Sequence, residues 1–139
     1  MNNLSLLVNI DVADLERAIA FYGAALGLRV HRRFGEFGAE LSGAGAPIFV
    51  LAKAAGTPAS PATPAKRDYA RHWTPVHLDF VVPDIDAAVR RARAAGAALE
   101  DRLETHAWGH IARFADPFGH GFCLIEFRGR GYDEIATAS

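Results

Sequence analysis

The feature that most constrains the fold is a segment that occurs twice. Residues 12–19 read Val-Ala-Asp-Leu-Glu-Arg-Ala-Ile, and residues 82–89, 70 positions later, read Val-Pro-Asp-Ile-Asp-Ala-Ala-Val. A strand-like apolar run precedes each copy, and a helix-like pattern that ends near Gly27 or Gly96 follows it. In a chain of 139 residues, a duplicated strand–helix unit predicts two similar halves of one small domain.

The strand before each copy has one apolar face and one partly polar face. Side chains alternate between the two faces of a strand, so a strand over residues 4–12 places Leu7, Asn9 and Asp11 together. A strand over residues 76–82 places His77, Asp79 and Val81 at the corresponding positions. The helix of each half should cover the apolar face, which leaves the partly polar face pointing away from the helix.

The remaining pattern predicts the α+β class. Each helix begins after an aspartate suited to the N-cap position, Asp14 or Asp84. Three strand candidates follow each helix, over 28–34, 37–41 and 47–53, and over 98–100, 110–114 and 121–127. The order is βαβββ, linker, βαβββ: module one over 4–53, an extended and partly mobile Ala- and Pro-rich linker over 54–75, and module two over 76–128, within a single domain 1–139.

Composition excludes several classes of protein. The formal net charge is −1 with both signs mixed along the chain, which argues against a nucleic-acid partner. No apolar run approaches the roughly 20 residues of a membrane helix, and residues 1–11 lack the pattern of a secretory signal. Cys123 is the only cysteine, so no internal disulfide is expected and a cytoplasmic setting is the default.

Two longer motifs carry a resemblance to a known superfamily. Residues 12–18 continue to Phe21-Tyr22 and to Leu26-Gly27-Leu28, and residues 114–119 read Phe-Ala-Asp-Pro-Phe-Gly before Cys-Leu-Ile-Glu-Phe at 123–127. With the βαβββ order, they resemble the vicinal-oxygen-chelate superfamily of glyoxalases, bleomycin-resistance proteins and extradiol dioxygenases. The resemblance covers nearly the whole chain outside the linker and the tail. It implies two modules curling around a shared concave cavity, and a homodimer.

The resemblance also locates the metal-ligand positions of the superfamily. Metal-dependent members place a His or Glu on the first and last strand of each module; these positions fall here on Leu7, Val50, His77 and Cys123. Only His77 is a standard ligand, and Cys123 could bind a soft metal as thiolate. Shifting the alignment by one residue at Leu7 or at Val50 would not place a metal-ligating side chain at either position. Because a catalytic divalent site needs about three protein ligands, we expect no metal cofactor.

Other residues are candidates for the expected cavity. His77 beside Asp79 suggests a hydrogen bond to a ligand or a general base, or else a wall histidine bonded to its neighbours. Asn9 needs a ligand or water as partner, and Cys123 is either a nucleophile or a small buried apolar group. His72 beside Trp73 could close over the cavity from the linker. Four aromatic residues form either a stacking wall or core and interface packing: Phe34, Phe37, Trp108 and Phe114.

The sequence leaves three functions open. The first is a bleomycin-resistance-like protein that binds a small aromatic or apolar molecule without a metal. The alternative is a lyase, isomerase or dioxygenase-like enzyme that uses His77, with or without a divalent metal, and the third is a dimeric scaffold without a ligand. The expected ligand-contacting residues are Leu7, Asn9, Phe34, Phe37, Val50, His77, Asp79, Trp108, His110, Phe114 and Cys123.

Overall fold

The first of two compact units is a helix packed on a four-stranded sheet. The computed structural model describes residues 4–137, and the units divide between Ala70 and Arg71. The sheet order is β1-β4-β3-β2, with β1 parallel to β4 and the other pairs antiparallel. The elements are β1 (Val8–Val12), α1 (Leu15–Leu26), β2 (Arg29–Phe34), β3 (Gly38–Ser42) and β4 (Ile48–Ala52).

The second unit repeats this plan with one more strand. β5 lies parallel to β9 in the order β5-β9-β8-β6, and β7 also pairs with β8. The elements are β5 (Leu78–Val81), α2 (Ile85–Ala94), β6 (Ala98–Leu99), β7 (Glu104–His106), β8 (Gly109–Ala115), β9 (Gly121–Phe127) and a 3-10 turn (Gly131–Glu134). The α+β class and the two βαβββ-like units are confirmed.

Strand β7 was not predicted from the sequence. β6 pairs with Phe114 and Ala115 at one end of β8, and β7 pairs with residues 109–111 at the other end. A loop thus interrupts one edge strand, and each remaining piece is too short to show a clear alternation of polar and apolar residues.

Local signals explain where the two helices begin. The Asp14 carboxylate accepts a hydrogen bond from the Arg17 backbone N–H at 3.1 Å, and Asp84 accepts one from Ala87 at the same distance. In the second unit, Glu126 Oε1 also accepts from the Ile85 N–H at 2.8 Å. These carboxylates satisfy N–H groups that have no partner within the helix.

Apolar packing between helix and sheet forms the core of each unit. α1 packs on β3 and β4, and α2 packs on β8 and β9. In unit one the buried apolar side chains of these elements are Leu15, Ala18, Phe21, Tyr22 and Ala25 from the helix and Ile10, Val12, Ala39, Leu41, Ile48 and Val50 from the sheet. One face of each sheet is therefore occupied by its helix.

The first strand is shorter than the sequence predicts. Leu4, Leu6 and Leu7 precede β1 and are 86%, 68% and 56% exposed. β1 begins at Val8 because its partner β4 begins at Ile48, directly opposite, so the earlier residues have no strand to pair with.

The expected extended linker is a hydrogen-bonded loop over much of its length. Arg67 Nε donates to Asp11 Oδ2 at 2.7 Å, and Tyr69 Oη donates to the Lys53 carbonyl at 2.7 Å. An antiparallel bridge joins Pro58 and Lys66. Within residues 4–137, neither helix has the length and apolar character needed to cross a bilayer.

The N-cap of α1 can be tested by Asp14→Ala. Removing the carboxylate acceptor leaves a helix N–H without its partner, so the free energy of unfolding should fall by about 1 kcal/mol. Urea unfolding followed by circular dichroism measures this change. Glu36→Ala in the exposed β2–β3 turn is the control and should change stability by less than about 0.5 kcal/mol. Equal stability of the two variants would contradict the contribution of the cap.

Candidate functional site

Strand register identifies the residues on the uncovered face of unit one. β1 and β4 pair Ile10 with Val50, and both are buried on the helix-covered face. The neighbouring pair, Asn9 and Phe49, must therefore point to the other face. Val50 is fully buried, so its expected place on the open face is wrong.

The position in unit one that corresponds to Cys123 is Phe49. β5 and β9 pair Asp79 with Cys123, just as β1 and β4 pair Asn9 with Phe49. The sequence analysis placed this position one residue too far along, at Val50. Both faces of β4 are apolar, so the sequence pattern does not show which of its residues face the helix. Like Val50, Phe49 offers no lone pair to a metal.

Aromatic side chains and one ion pair occupy the uncovered face of unit one. The rings of Phe34 and Phe49 stack with centroids 6.1 Å apart. The Arg32 guanidinium lies 5.7 Å from the centre of Phe34 and pairs with the nearly buried Glu40. Of the other expected residues in this unit, Leu7, Asn9 and Phe37 are exposed, and their contact with a ligand stays a prediction.

In unit two, the structure brings His77, Asp79 and Cys123 together. His77 Nε2 lies 3.2 Å from Asp79 Oδ1, and Asp79 stands opposite Cys123 in the β5–β9 pairing. One ligand atom from each of the three side chains lies within 4.8 Å of the others. We call these three residues the 77–79–123 cluster. His77 and Asp79 are exposed, whereas Cys123 is buried beneath them.

The environment of Cys123 favours its protonated form. Burial, followed by the charge of Asp79 and a hydrogen bond with it, raises the pKa of the Cys123 thiol to about 12. The positive charge of Arg113 opposes this effect without cancelling it. At neutral pH the group is therefore a thiol, and a protonated thiol is a poor nucleophile.

Arg113 is a residue of this face that the sequence analysis missed. It stands opposite Cys123 in the β8–β9 pairing. Its Nη1 donates to Glu104 Oε2 at 2.7 Å, and hydrogen bonds from Arg113 and His106 lower the pKa of the Glu104 carboxyl. The alternation of Ala112 and Phe114 with Ile111 and Arg113 along β8 is the signal that could have found it.

The other expected residues of unit two divide into core and surface. Phe114 is fully buried and stacks on Phe122 at 5.6 Å, which favours core packing over the stacking wall among the two alternatives for this residue. The Trp108 ring packs against Tyr132 and Phe127, at 5.2 and 6.2 Å, beside the 3-10 turn. His110 Nδ1 lies 2.9 Å from Thr105 Oγ1. Ligand contact by Trp108 and by His110 stays a prediction.

The cluster can be compared with the metal site that the superfamily resemblance implies. Unit one has Leu7 and Phe49 at the corresponding positions and so contributes no donor there. Unit two offers one nitrogen, one carboxylate and one sulfur, a donor set that suits zinc or another soft divalent ion. The thiol would first have to lose its proton, which burial and Asp79 both oppose. The three residues could hold such an ion within unit two only if Cys123 loses its proton. They do not reproduce the His and Glu ligands of the metal-dependent superfamily members.

The raised pKa of Cys123 makes a prediction about stability at high pH. Above the ordinary value of 9.0 the unfolded chain loses this proton, while the folded chain keeps it up to about pH 12. The unfolded state then binds fewer protons, so the free energy of unfolding should fall with rising pH in this window, by at most about 1.4 kcal/mol per pH unit. Below pH 9 the contribution is fully present.

Urea unfolding of the wild type and of Cys123→Ser at about pH 8 and about pH 10.5 tests this expectation, with the window set by the linkage relation. The wild type should lose more stability between the two pH values than the serine variant. Equal losses would show that the thiol is not held in its protonated form.

Comparisons with known proteins agree with this architecture. Residues 7–125 match the sequence profile of the glyoxalase-like domain. Over 67 residues the chain is 42% identical to the uncharacterized protein Mb0911c of Mycobacterium bovis, which is 47% of this chain and 44% of that protein. Over 65 residues it is 38% identical to the anthracycline biosynthesis protein DnrV of Streptomyces peucetius, which is 47% of this chain and 22% of that protein. The matches thus span less than half the length of these curated relatives.

Structural similarity extends over nearly the whole chain. The fosfomycin resistance protein FosX of Listeria monocytogenes superposes with a TM-score of 0.70 over 94% of this chain and 98% of its own, at 16% identity. At that identity the likeness shows the fold alone. The profile match covers most of the chain and includes both strand–helix units, and so this chain belongs to the glyoxalase-like domain family of the glyoxalase, bleomycin-resistance and dioxygenase superfamily.

Proposed function

We propose that this protein binds a small, flat aromatic molecule on the uncovered face of unit two, and that it does so without a metal ion. The observation that carries the proposal is the 77–79–123 cluster beside an indole: the Trp73 ring centre lies 4.8 Å from that of His77. Small-molecule sites combine apolar and aromatic surface with a few polar groups that orient the ligand.

The uncovered face offers recognition groups of both kinds. The imidazole of His77 and the carboxylate of Asp79 are exposed and can exchange hydrogen bonds with a hydroxyl or carbonyl group of a ligand. The exposed part of Trp73 can stack on an aromatic ring. Affinity would then come from buried aromatic area, and orientation from the two polar groups.

The names of two similar proteins support a small-molecule ligand. DnrV is named for anthracycline biosynthesis, and FosX for fosfomycin resistance. An anthracycline contains fused, flat rings, which is the shape that a tryptophan wall accommodates. This support comes from partial or distant similarity and adds to the geometry of the site.

A second candidate function is favoured by the cluster itself. His77, whose Nε2 lies 3.2 Å from Asp79 Oδ1, could act as the base of a lyase, isomerase or dioxygenase-like enzyme, with or without a divalent metal. The protonated thiol of Cys123 is a poor nucleophile, so catalysis at this face would rest on His77. We therefore rank ligand binding first.

The binding proposal is tested with 1,4-dihydroxyanthraquinone as the probe. Isothermal titration should show saturable binding whose Kd changes by less than about twofold when EDTA is added, because no interaction of the site passes through a metal. His77→Leu should weaken binding by about fivefold, the value of one lost hydrogen bond. The matched control, His31→Leu on the exposed strand β2, should leave the Kd unchanged.

Metal analysis of protein purified without chelator separates the two candidates. The proposal expects no stoichiometric zinc, nickel, manganese or iron. One equivalent of metal per chain that is lost in His77→Ala would replace the metal-free proposal with the second candidate.

Two wider expectations belong to the same proposal. We propose that the protein works as a homodimer in the cytoplasm, where a reducing environment keeps the Cys123 thiol intact. Sedimentation equilibrium at micromolar concentration measures the oligomeric state, and a monomer would contradict the first of these expectations.

A further inference from the structure

A short segment of unit two is held in place by hydrogen bonds and side-chain contacts. It consists of Arg71, His72 and Trp73, and we call it the 71–73 strap. The His72 N–H donates to the Gly119 carbonyl at 2.9 Å, and a parallel bridge joins His72 to His120. The two imidazoles meet at 3.0 Å between Nε2 and Nδ1. The backbone pairing and the imidazole contact of His72 together hold the middle of the strap against the loop before β9.

Arg71 fastens the start of the strap. Its guanidinium makes two hydrogen bonds with the Glu100 carboxylate, and these bonds lower the pKa of that carboxyl. Nη1 also donates to the Gly119 carbonyl at 3.2 Å. The guanidinium lies 5.4 Å from the centre of the Trp73 ring, so the same side chain holds the strap and packs against the indole.

The strap places Trp73 directly on Gly121, the first residue of β9. A Cβ at position 121 would lie 1.9 Å from Cε3 and 2.3 Å from Cζ3 of the indole. Gly121 is not among the glycines with positive φ, so other residues could adopt its backbone conformation. The absence of a side chain at this position therefore serves the close approach of the ring.

Gly121 and Cys123 share a face of β9 because they are two residues apart. Trp73 therefore stands at the end of the same uncovered face as the cluster, with its ring centre 4.8 Å from that of His77 and an angle of 37° between the rings. Despite these contacts, Trp73 remains 44% exposed. A large apolar ring held rigid while half open to water loses little conformational freedom when a ligand covers it.

We propose that Trp73 is the specificity-determining residue of this site: the 71–73 strap and the bare backbone of Gly121 present its indole as a fixed wall that selects planar aromatic ligands over saturated ones of the same skeleton. The inference rests on the proposed function and narrows its ligand class. Trp73 contacts the ligand, while Arg71, His72 and Gly121 are positioning residues that act through it.

The test uses 2-naphthol and decahydro-2-naphthol, which share a carbon skeleton and a hydroxyl group but differ in planarity. Wild-type protein should bind 2-naphthol more tightly. Trp73→Leu should weaken 2-naphthol binding by about 5- to 10-fold and change decahydro-2-naphthol binding far less, because stacking requires two flat rings. Trp73→Phe should retain most of the preference.

Gly121→Ala provides a second route to the same result. Its Cβ would displace the indole, so the variant should lose planar selectivity although Trp73 is present. Urea unfolding confirms that each variant is folded before its binding is measured. Val76→Ala, at an exposed apolar position beyond the strap, is the control and should leave both affinities unchanged.

Two failures are distinguishable. If the wild type binds 2-naphthol but Trp73→Leu keeps the same ratio of the two affinities, the role of Trp73 is overturned and the proposed function stands. If the wild type binds neither 2-naphthol, decahydro-2-naphthol nor the anthraquinone probe, the proposed function and this inference are overturned together.

Discussion

The packing of one helix on one face of each sheet is the constraint on which the rest of the structure depends. Because strand side chains alternate between faces, burying Ile10 and Val50 under α1 commits Asn9 and Phe49 to the uncovered face. A register slip of one residue in any strand would exchange its helix-facing and uncovered side chains. Polar groups would then enter the core without hydrogen-bond partners, which would destabilise the fold. The set of residues on the uncovered face is therefore a consequence of how the core packs.

Asp79 sets the chemistry of that face in unit two. Its carboxylate lies beside the imidazole of His77 and is hydrogen-bonded to the thiol of Cys123, and its negative charge helps to keep that thiol protonated. A cysteine in this state contributes shape and a weak hydrogen bond, not nucleophilic attack. The same three side chains offer metal donors of mixed type, but a metal would have to displace that proton. These properties support the proposed recognition role, and the exposed indole of Trp73 adds an apolar surface to the same face.

Much of the fold follows from local sequence signals. The duplicated segment predicted two strand–helix units, and Asp14 and Asp84 predicted the helix starts, because a capping carboxylate acts on N–H groups within three residues. The prediction was wrong for residues Leu4 to Leu7, which have strand-like polarity but no partner strand. The cluster residues His77, Asp79 and Cys123 were each singled out from sequence; that the three meet, and that Arg113 stands opposite Cys123, depends on strand pairing.

By itself, the sequence determined the α+β class, the two repeated units and the parity of the first strand in each unit. These properties depend on residue type and on periods of two or four residues, which act over short distances along the chain. Only the tertiary structure decided that Phe49 rather than Val50 shares a face with Asn9, that Phe114 lies in the core, and that Trp73 rests on Gly121. Each of these facts depends on the alignment of segments that are distant in the chain. Hydrogen-bond register and mutual packing fix that alignment when the sheet forms, and no local propensity encodes it.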